Sequence, residues 1–237
     1  MKVTIIHGQS HKGSTYHISK ILADKIGGEV KEFFLPRDFG EFCIGCTQCF
    51  RKSETLCPHY EKINPLTEAL DEADVLIFES PVYVYHVTGS MKAFLDHYGY
   101  RWMLHRPEES MFHKQAVCIS TAAGAGMKST NKDMADSFFY WGVPKVYKYG
   151  VRVMATSYKD IKPKIKAKIE KDTKLSELTK KKQSIVEKMG KANLAKVTIE
   201  KIIYPGNVIT INGVKAVVTE EEKHVEYARR GAGIIVY

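Results

Sequence analysis

Met1-Lys-Val-Thr-Ile-Ile-His-Gly-Gln-Ser-His-Lys-Gly-Ser-Thr15 is the stretch whose reading decides the fold. Lys2 to His7 is a short apolar run rich in β-branched residues and closed by Gly8, the pattern of a buried strand. From Ser14 the period changes. Ile18, Ile21, Leu22 and Ile26 share one helical face, and Gly27-Gly28 supplies a stop. The junction holds Gly8, Gly13, Ser10, Ser14 and Thr15. A helix N-terminus presents unpaired N–H groups and the positive end of the helix dipole, so this loop suits a phosphate, with the hydroxyls as further donors. The same residues also read as an ordinary capped turn, because Ser and Thr favour N-caps for their own reasons. Neither G-x-x-x-x-G-K-[ST] nor G-x-G-x-x-G is present, which disfavours a P-loop NTPase and a dinucleotide fingerprint.

Working outward, the strand-to-helix alternation repeats. Glu29 to Phe34 reads as a second strand ended by Leu35-Pro36, and residues 36–60 show no period. Leu66, Leu70 and Ala73 mark a helix with Pro65 near its first turn. Asp74 to Glu79 is a nearly all-apolar third strand, buried on both faces. Ser80 to His86 is a loop before a helix from Gly89 to Tyr100. Ala116 to Ser120 is a fourth strand followed by the small-residue loop Thr121-Ala-Ala-Gly-Ala-Gly126. A helix carrying Phe138, Phe139 and Trp141 then precedes a fifth strand, Lys145 to Val153. Such alternation implies a doubly wound parallel sheet, with ligands at the carboxyl edge where the βα loops gather. Residues 8–15, 80–88 and 121–127 fall on that edge.

The chain divides into 1–156, the α/β unit, and 157–237, an extension. Ser157 to Lys196 reads as a lysine-rich helix with Ile161, Ile165 and Ile169 four apart. Val208-Ile-Thr-Ile and Val214 to Val218 flank Asn212-Gly213, a hairpin signal. The formal net charge is +9, yet fourteen lysines against six acids lie between Ser157 and Lys201. The basicity belongs to one segment, read as a solvated helical face, and the expectation is no nucleic-acid partner. No apolar run reaches membrane-spanning length and the N-terminus enters a strand directly, so a cytoplasmic protein with no membrane partner is expected.

Of five cysteines, Cys118 sits in the apolar run Ala116 to Ile119 and reads as a small buried hydrophobe. Cys43, Cys46, Cys49 and Cys57 form C-x2-C-x2-C-x7-C followed by Pro58. Three such thiolates can converge on one face of a [4Fe–4S] cluster with the fourth arriving from nearby. A set of unligated thiols is a second reading, and zinc a third.

Taken together, the edge loops resemble the flavodoxin-like NADPH-dependent FMN reductase family, which includes the iron–sulfur flavoproteins. The resemblance spans about Lys2 to Val153. It rests on Gly8 to Thr15; on Ser80-Pro-Val-Tyr-Val-Tyr85 with Ser90-Met-Lys-Ala-Phe-Leu-Asp96; on Thr121-Ala-Ala-Gly124 with Gly126; and on the cysteine motif. It implies a flavodoxin-like five-stranded parallel sheet of order 2-1-3-4-5. FMN would be held by its phosphate at Ser10, Gly13, Ser14 and Thr15. Pro81, Val82, Tyr83 and Tyr85 would pack on the ring system, and Thr121, Ala122, Ala123 and Gly124 would run along its other edge. Cys43, Cys46, Cys49 and Cys57 become candidate cluster ligands. Two departures stand out: His97 replaces the arginine usual after Asp96, and His11-Lys12 replaces an arginine in the first loop.

The function implied is an FMN-dependent oxidoreductase that takes electrons from NAD(P)H or a reduced protein donor. The acceptor is a small molecule, such as a quinone or a flavin, or a protein, and a homo-oligomer, dimer or tetramer, is implied. The alternatives are an electron-transfer relay of FMN and cluster with no NAD(P)H site of its own, and a non-redox scaffold. No side chain is assigned as catalytic, because the flavin carries the hydride chemistry.

Overall fold

The computed structural model describes residues 1–104, 106, 108–172, 208–211, 214–218 and 225–227. By contacts the chain separates into two compact units, 1–175 and 176–237. In the first, β1 (Lys2–His7), β2 (Glu29–Phe34), β3 (Val75–Pro81), β4 (Gln115–Ala122) and β5 (Lys145–Arg152) form one all-parallel sheet of order β2-β1-β3-β4-β5. This is the flavodoxin-like order expected from the sequence.

The core explains why the strands read as continuous apolar runs. Val3, Ile5, Val75, Ile77, Val117 and Ile119 face one side, where α1 (Ser14–Ile26) contributes Ile18, Leu22 and Ala23. Ile6, Leu76, Phe78, Ala116 and Cys118 face the other. There they meet α3 (Tyr60–Glu72), α4 (Gly89–Asp96) and α6 (Met127–Tyr140), by way of Leu66, Leu70, Phe94 and Phe138. With both parities buried, the central strands are apolar over most of their length. The outer strands carry the charges instead, Glu29, Lys31 and Glu32 on β2 and Lys145, Lys148 and Arg152 on β5, which discourages edge-to-edge pairing. Cys118 is fully buried, and burial pushes its thiol up to about 12.

Three local readings need revision. The helix expected from Gly89 to Tyr100 ends at Asp96, and a short α5 (Gly99–Met103) follows. His97 Nδ1 bonds the Ala93 carbonyl at 2.8 Å, spending the acceptor that continues the helix on a side chain. Pro65 lies inside α3, which begins at Tyr60, rather than near its first turn. The helix expected from Ser157 starts only at Pro163, as α7 (Pro163–Asp172), after a 3-10 turn at Tyr158–Asp160. Pro163 suits the first position of α7, where its missing N–H has no intrahelical partner to lose. Ile161 and Ile169 are nonetheless buried against the α1 face. Residues 173–196 of that expected helix, and Asn212-Gly213, lie outside the described residues.

Residues 36–60, without period in the sequence, contain the four-residue helix α2 (Gln48–Arg51) and a 3-10 turn at Glu54–Leu56. In the second unit β6 (Val208–Ile211), β7 (Val214–Val218) and β8 (Val225–Tyr227) form an antiparallel sheet of that order.

Candidate functional site

The carboxyl ends of β1, β3, β4 and β5 bring the three expected loops together and tie them to one another. The Val82 N–H donates to the Thr121 carbonyl at 2.9 Å, and Gly8 N–H to the Glu79 carbonyl at 2.7 Å. Thr15 and Thr121 hydroxyls share a hydrogen bond of 2.6 Å, and the Ser14 hydroxyl donates to the Ala155 carbonyl at 2.8 Å. Ser10 reaches the Leu35 carbonyl at 3.3 Å, and Tyr83 the Gln9 side chain at 3.3 Å. Arg152 Nε fixes the Ala123 carbonyl at 3.0 Å. Pro81 and Ala122 are the last residues of their strands rather than loop residues, and Gly124 follows in the open turn.

This wiring changes the roles of the hydroxyls. Those of Ser10 and Ser14 donate to protein carbonyls, and the Thr15–Thr121 bond uses one of that pair's two hydroxyl protons, so a phosphate is left main-chain N–H groups and one threonine hydroxyl. Gly13 is the N-cap of α1 and no side chain caps it. Its Cβ, if it had one, would stand 2.7 Å from the Thr156 carbonyl oxygen. Glycine is therefore required, and the first-turn N–H groups of α1 face the loop uncapped, as an anion site needs. Lys12 lies 5.4 Å from the Tyr16 ring centroid and 5.3 Å from that of Phe34, in place of the absent arginine.

Tyr83 and His86 exchange main-chain hydrogen bonds across a two-residue turn, 2.9 and 3.0 Å. Its central residues are Val84 and Tyr85, both at positive φ, 48° and 67°. Two such residues in succession are the mark of a type I′ turn, which Asn and Gly normally supply. Tyr83 and Tyr85 are consequently more than half exposed, with flat rings at the sheet edge. Gly126, at φ 96°, caps α6; a Cβ there would fall 2.5 Å from Val82 and 3.1 Å from the Tyr85 backbone.

Beneath the loops sits a pair that the sequence reading did not single out. His7, the last residue of β1, pairs in register with Glu79 of β3, and both are fully buried. His7 Nδ1 lies 2.8 Å from Glu79 Oε1, and its Nε2 3.3 Å from Glu32 Oε1. Glu79 Oε2 is buried without a partner, and burial pushes that carboxyl up despite the histidine. The signal available was a polar residue at the same register position of two otherwise apolar strands.

The cysteine loop leaves the same sheet edge, after β2. Cys43 and Cys46 are exposed, while Cys49 and Cys57 are half-buried. Burial raises the Cys49 thiol, and the neighbouring Cys57, Cys43 and Cys46 raise it further. As thiolates the four would repel one another, and they are a donor set that an iron–sulfur cluster would neutralise. Beside it a cavity of about 230 Å³ is lined by Cys49, Cys57, His97, Tyr100, Arg101 and Arg106, among others. Its floor is fixed by Arg101, buried, whose Nη2 donates to both carboxylate oxygens of Asp71 at 2.8 and 2.9 Å. His59 Nδ1 and His97 Nε2 are 2.9 Å apart, and burial holds the His97 imidazole below its ordinary pKa.

Residues 1–157 match the family of NADPH-dependent FMN reductases. The chain is 35% identical over 78 residues to an iron–sulfur flavoprotein of Archaeoglobus fulgidus, covering 32% of this chain and 34% of that one. It is 37% identical over 70 residues to an iron–sulfur flavoprotein of Methanocaldococcus jannaschii, covering 30% and 35%. These matches span about a third of the relatives' own length. An FMN-dependent NADH-azoreductase from Bacillus anthracis, solved with FMN, superposes with a TM-score of 0.51 at 10% identity, over 73% of this chain and 98% of that one. At that identity the likeness is one of fold. Among the described residues no helix is long and apolar enough to cross a membrane.

Proposed function

The chain belongs to the NADPH-dependent FMN reductase family, and from that premise we propose that it is an FMN-dependent oxidoreductase. Its donor is NAD(P)H or a reduced protein, and its acceptor a quinone, a flavin or a protein. The observation that carries the reading is the uncapped N-terminus of α1, set by Gly13 among three loops that are hydrogen-bonded to each other at one sheet edge. Main-chain N–H groups of Ser14 and Thr15, with Lys12, bind the phosphate. Tyr83 and Tyr85 wall the ring system, and the small Ala122-Ala123-Gly124 turn lets backbone approach its polar edge. Ser10 holds the loop to Leu35, and Pro81, Val82 and Thr121 keep the two walls in register. FMN, when bound, supplies hydride acceptance and electron release, while the protein supplies orientation and electrostatics. The exposed Val84, Tyr85 and Met154 side chains support a homo-oligomer, dimer or tetramer.

The test is the flavin itself. Purified protein should be yellow, release FMN on denaturation, and oxidise NADPH or NADH when offered a quinone. Recovery of mainly FAD, or no flavin after incubation with FMN, sinks the assignment. Bound FMN with no nicotinamide oxidation favours the second reading, an electron relay. The names of the relatives and the C-x2-C-x2-C-x7-C spacing of Cys43, Cys46, Cys49 and Cys57 support a [4Fe–4S] cluster as its other centre. Iron and acid-labile sulfide after anaerobic reconstitution should then be about four each per chain.

A further inference from the structure

Three metal-ligating groups converge away from the flavin loops, and they are not the four cysteines. Cys57 Sγ, a ring nitrogen of His59 and a ring nitrogen of His97 all lie within 4.8 Å of one another, the one such group of three among the described residues. The geometry is prepared on the His97 side. His97 is buried, and its Nδ1 donates to the Ala93 carbonyl at 2.8 Å, which leaves Nε2 with its lone pair free to accept. Anchoring the far nitrogen on a carbonyl is how metal-ligating histidines are oriented. Nε2 now accepts the proton of His59 Nδ1 across 2.9 Å. Two nitrogens on a tetrahedral ion, at bonds of about 2.0–2.1 Å, stand about 3.3 Å apart, so the pair need open by only about 0.4 Å. His97 is also the residue that departs from the arginine usual after Asp96. An arginine there offers no lone pair; an imidazole does.

We propose that Cys57, His59 and His97 form a binding site for one divalent transition-metal ion. Imidazole and thiolate together select zinc, cobalt or iron over magnesium or calcium. The adjoining cavity, which touches Cys57, His97 and Cys49, supplies the fourth ligand as a water or the Cys49 thiolate. Protons balance simply. The Cys57 thiol loses its proton to solvent, and His59 moves its single proton from Nδ1 to Nε2, so one proton is released per ion bound. This ion and a [4Fe–4S] cluster exclude each other, because each needs the Cys57 thiolate. The trio is the site of the cluster-free protein.

The experiment uses the full chain freed of iron by a chelator and titrated with Co2+ alone. One Co2+ per chain should bind with a thiolate-to-cobalt absorption band, displaced by Zn2+. Loss of an outer partner already weakens such sites roughly 10–100-fold, so His59→Ala should cost at least that much affinity. Cys43→Ser removes a ligand of the proposed cluster and not of the trio, so it should leave the cobalt band and cobalt affinity unchanged. His59 is only half-buried, so its variant should fold; His97→Ala serves as a second test, with FMN content reporting the state of the α/β unit. No cobalt uptake by the wild type overturns the proposal. So does a band that survives His59→Ala and His97→Ala but is lost in Cys43→Ser, which would place the ion on the four thiols.

Discussion

Two regions leave the same edge of one parallel sheet and are held in opposite ways. The loops after β1, β3 and β4 are bonded to each other through main chain and buried hydroxyls, Val82 to Thr121, Thr15 to Thr121 and Gly8 to Glu79. Residues 43–57 bond mainly to themselves. Among the described residues their long-range polar ties come from Arg106 alone, to the Cys49 carbonyl at 2.6 Å and the Glu54 carboxylate at 3.7 Å. The first region, proposed above as the anion and ring site, is a set of loops that the sheet itself ties together. The second carries Cys49 and Phe50 against the core but leaves Cys43 and Cys46 exposed, to be ordered by what they bind. Sheet topology can prepare a site only where the loops of neighbouring strands meet.

The largest effect should come from breaking the one rigid feature under the cysteine side. Arg101→Ala leaves Asp71 partly buried without the guanidinium that donates to both its oxygens. Such a loss costs about 3 kcal/mol, at the low end for a buried pair because Asp71 keeps some exposure. Urea unfolding measures it. A loss below about 1 kcal/mol, the worth of a surface pair, would show that the cysteine side has no anchored floor and that the contrast is sharper than drawn.

The two regions can also be compared by the same chemical change. Gly126→Ala forces a Cβ into Val82 and the Tyr85 backbone at positive φ, so strain and overpacking together should cost about 2 kcal/mol and weaken FMN binding. Gly45→Ala, at φ 66° with nothing within 4 Å, should cost only the strain, about 1 kcal/mol, and leave FMN affinity alone. Equal losses, or an FMN effect from Gly45→Ala, would erase the distinction.

The same distinction decides what was legible in the sequence. Strands with both parities apolar, such as Val75 to Phe78, can only be central, and the glycine and hydroxyl loops after them can only lie on one edge; the fold followed from that, while the flavin assignment of those loops came from the family resemblance and is a proposal. The role of Ser14 did not, because a hydroxyl reads alike whether it binds a phosphate or the Ala155 carbonyl. His97 ending α4 and meeting His59 across 38 residues was equally hidden. Periodicity reports which face a residue takes, not which distant side chain meets it there.

A smaller effect tests the ring wall. Tyr83→Ala removes one exposed ring, and its stacking on the flavin is worth about 1 kcal/mol. FMN should bind about fivefold more weakly, with altered flavin fluorescence. Unchanged affinity and fluorescence would leave Tyr85 as the wall and Tyr83 as a strut on Gln9.

The smallest effect should be a gain. Val84 sits at φ 48° in a turn that asks for asparagine or glycine, and it is 91% exposed, so its side chain buries nothing in the α/β unit. A β-branched residue in the left-handed region costs about 1–2 kcal/mol, part of which asparagine recovers by tolerating that conformation. Val84→Asn should therefore stabilise the protein by about 0.5–1 kcal/mol, a rise in Tm of about 1–4 °C at this size. Strain that persists on an exposed valine needs a reason outside the monomer's own packing, and the proposed oligomer offers one. If Val84 is covered by a second copy, Val84→Asn should raise Tm at low protein concentration and weaken self-association measured by sedimentation. Gain in stability with association unchanged would leave the turn as strain kept for the flavin wall alone. A loss of stability would mean the turn's geometry is not strained, and with it would go the argument that this edge is built in advance of its ligand.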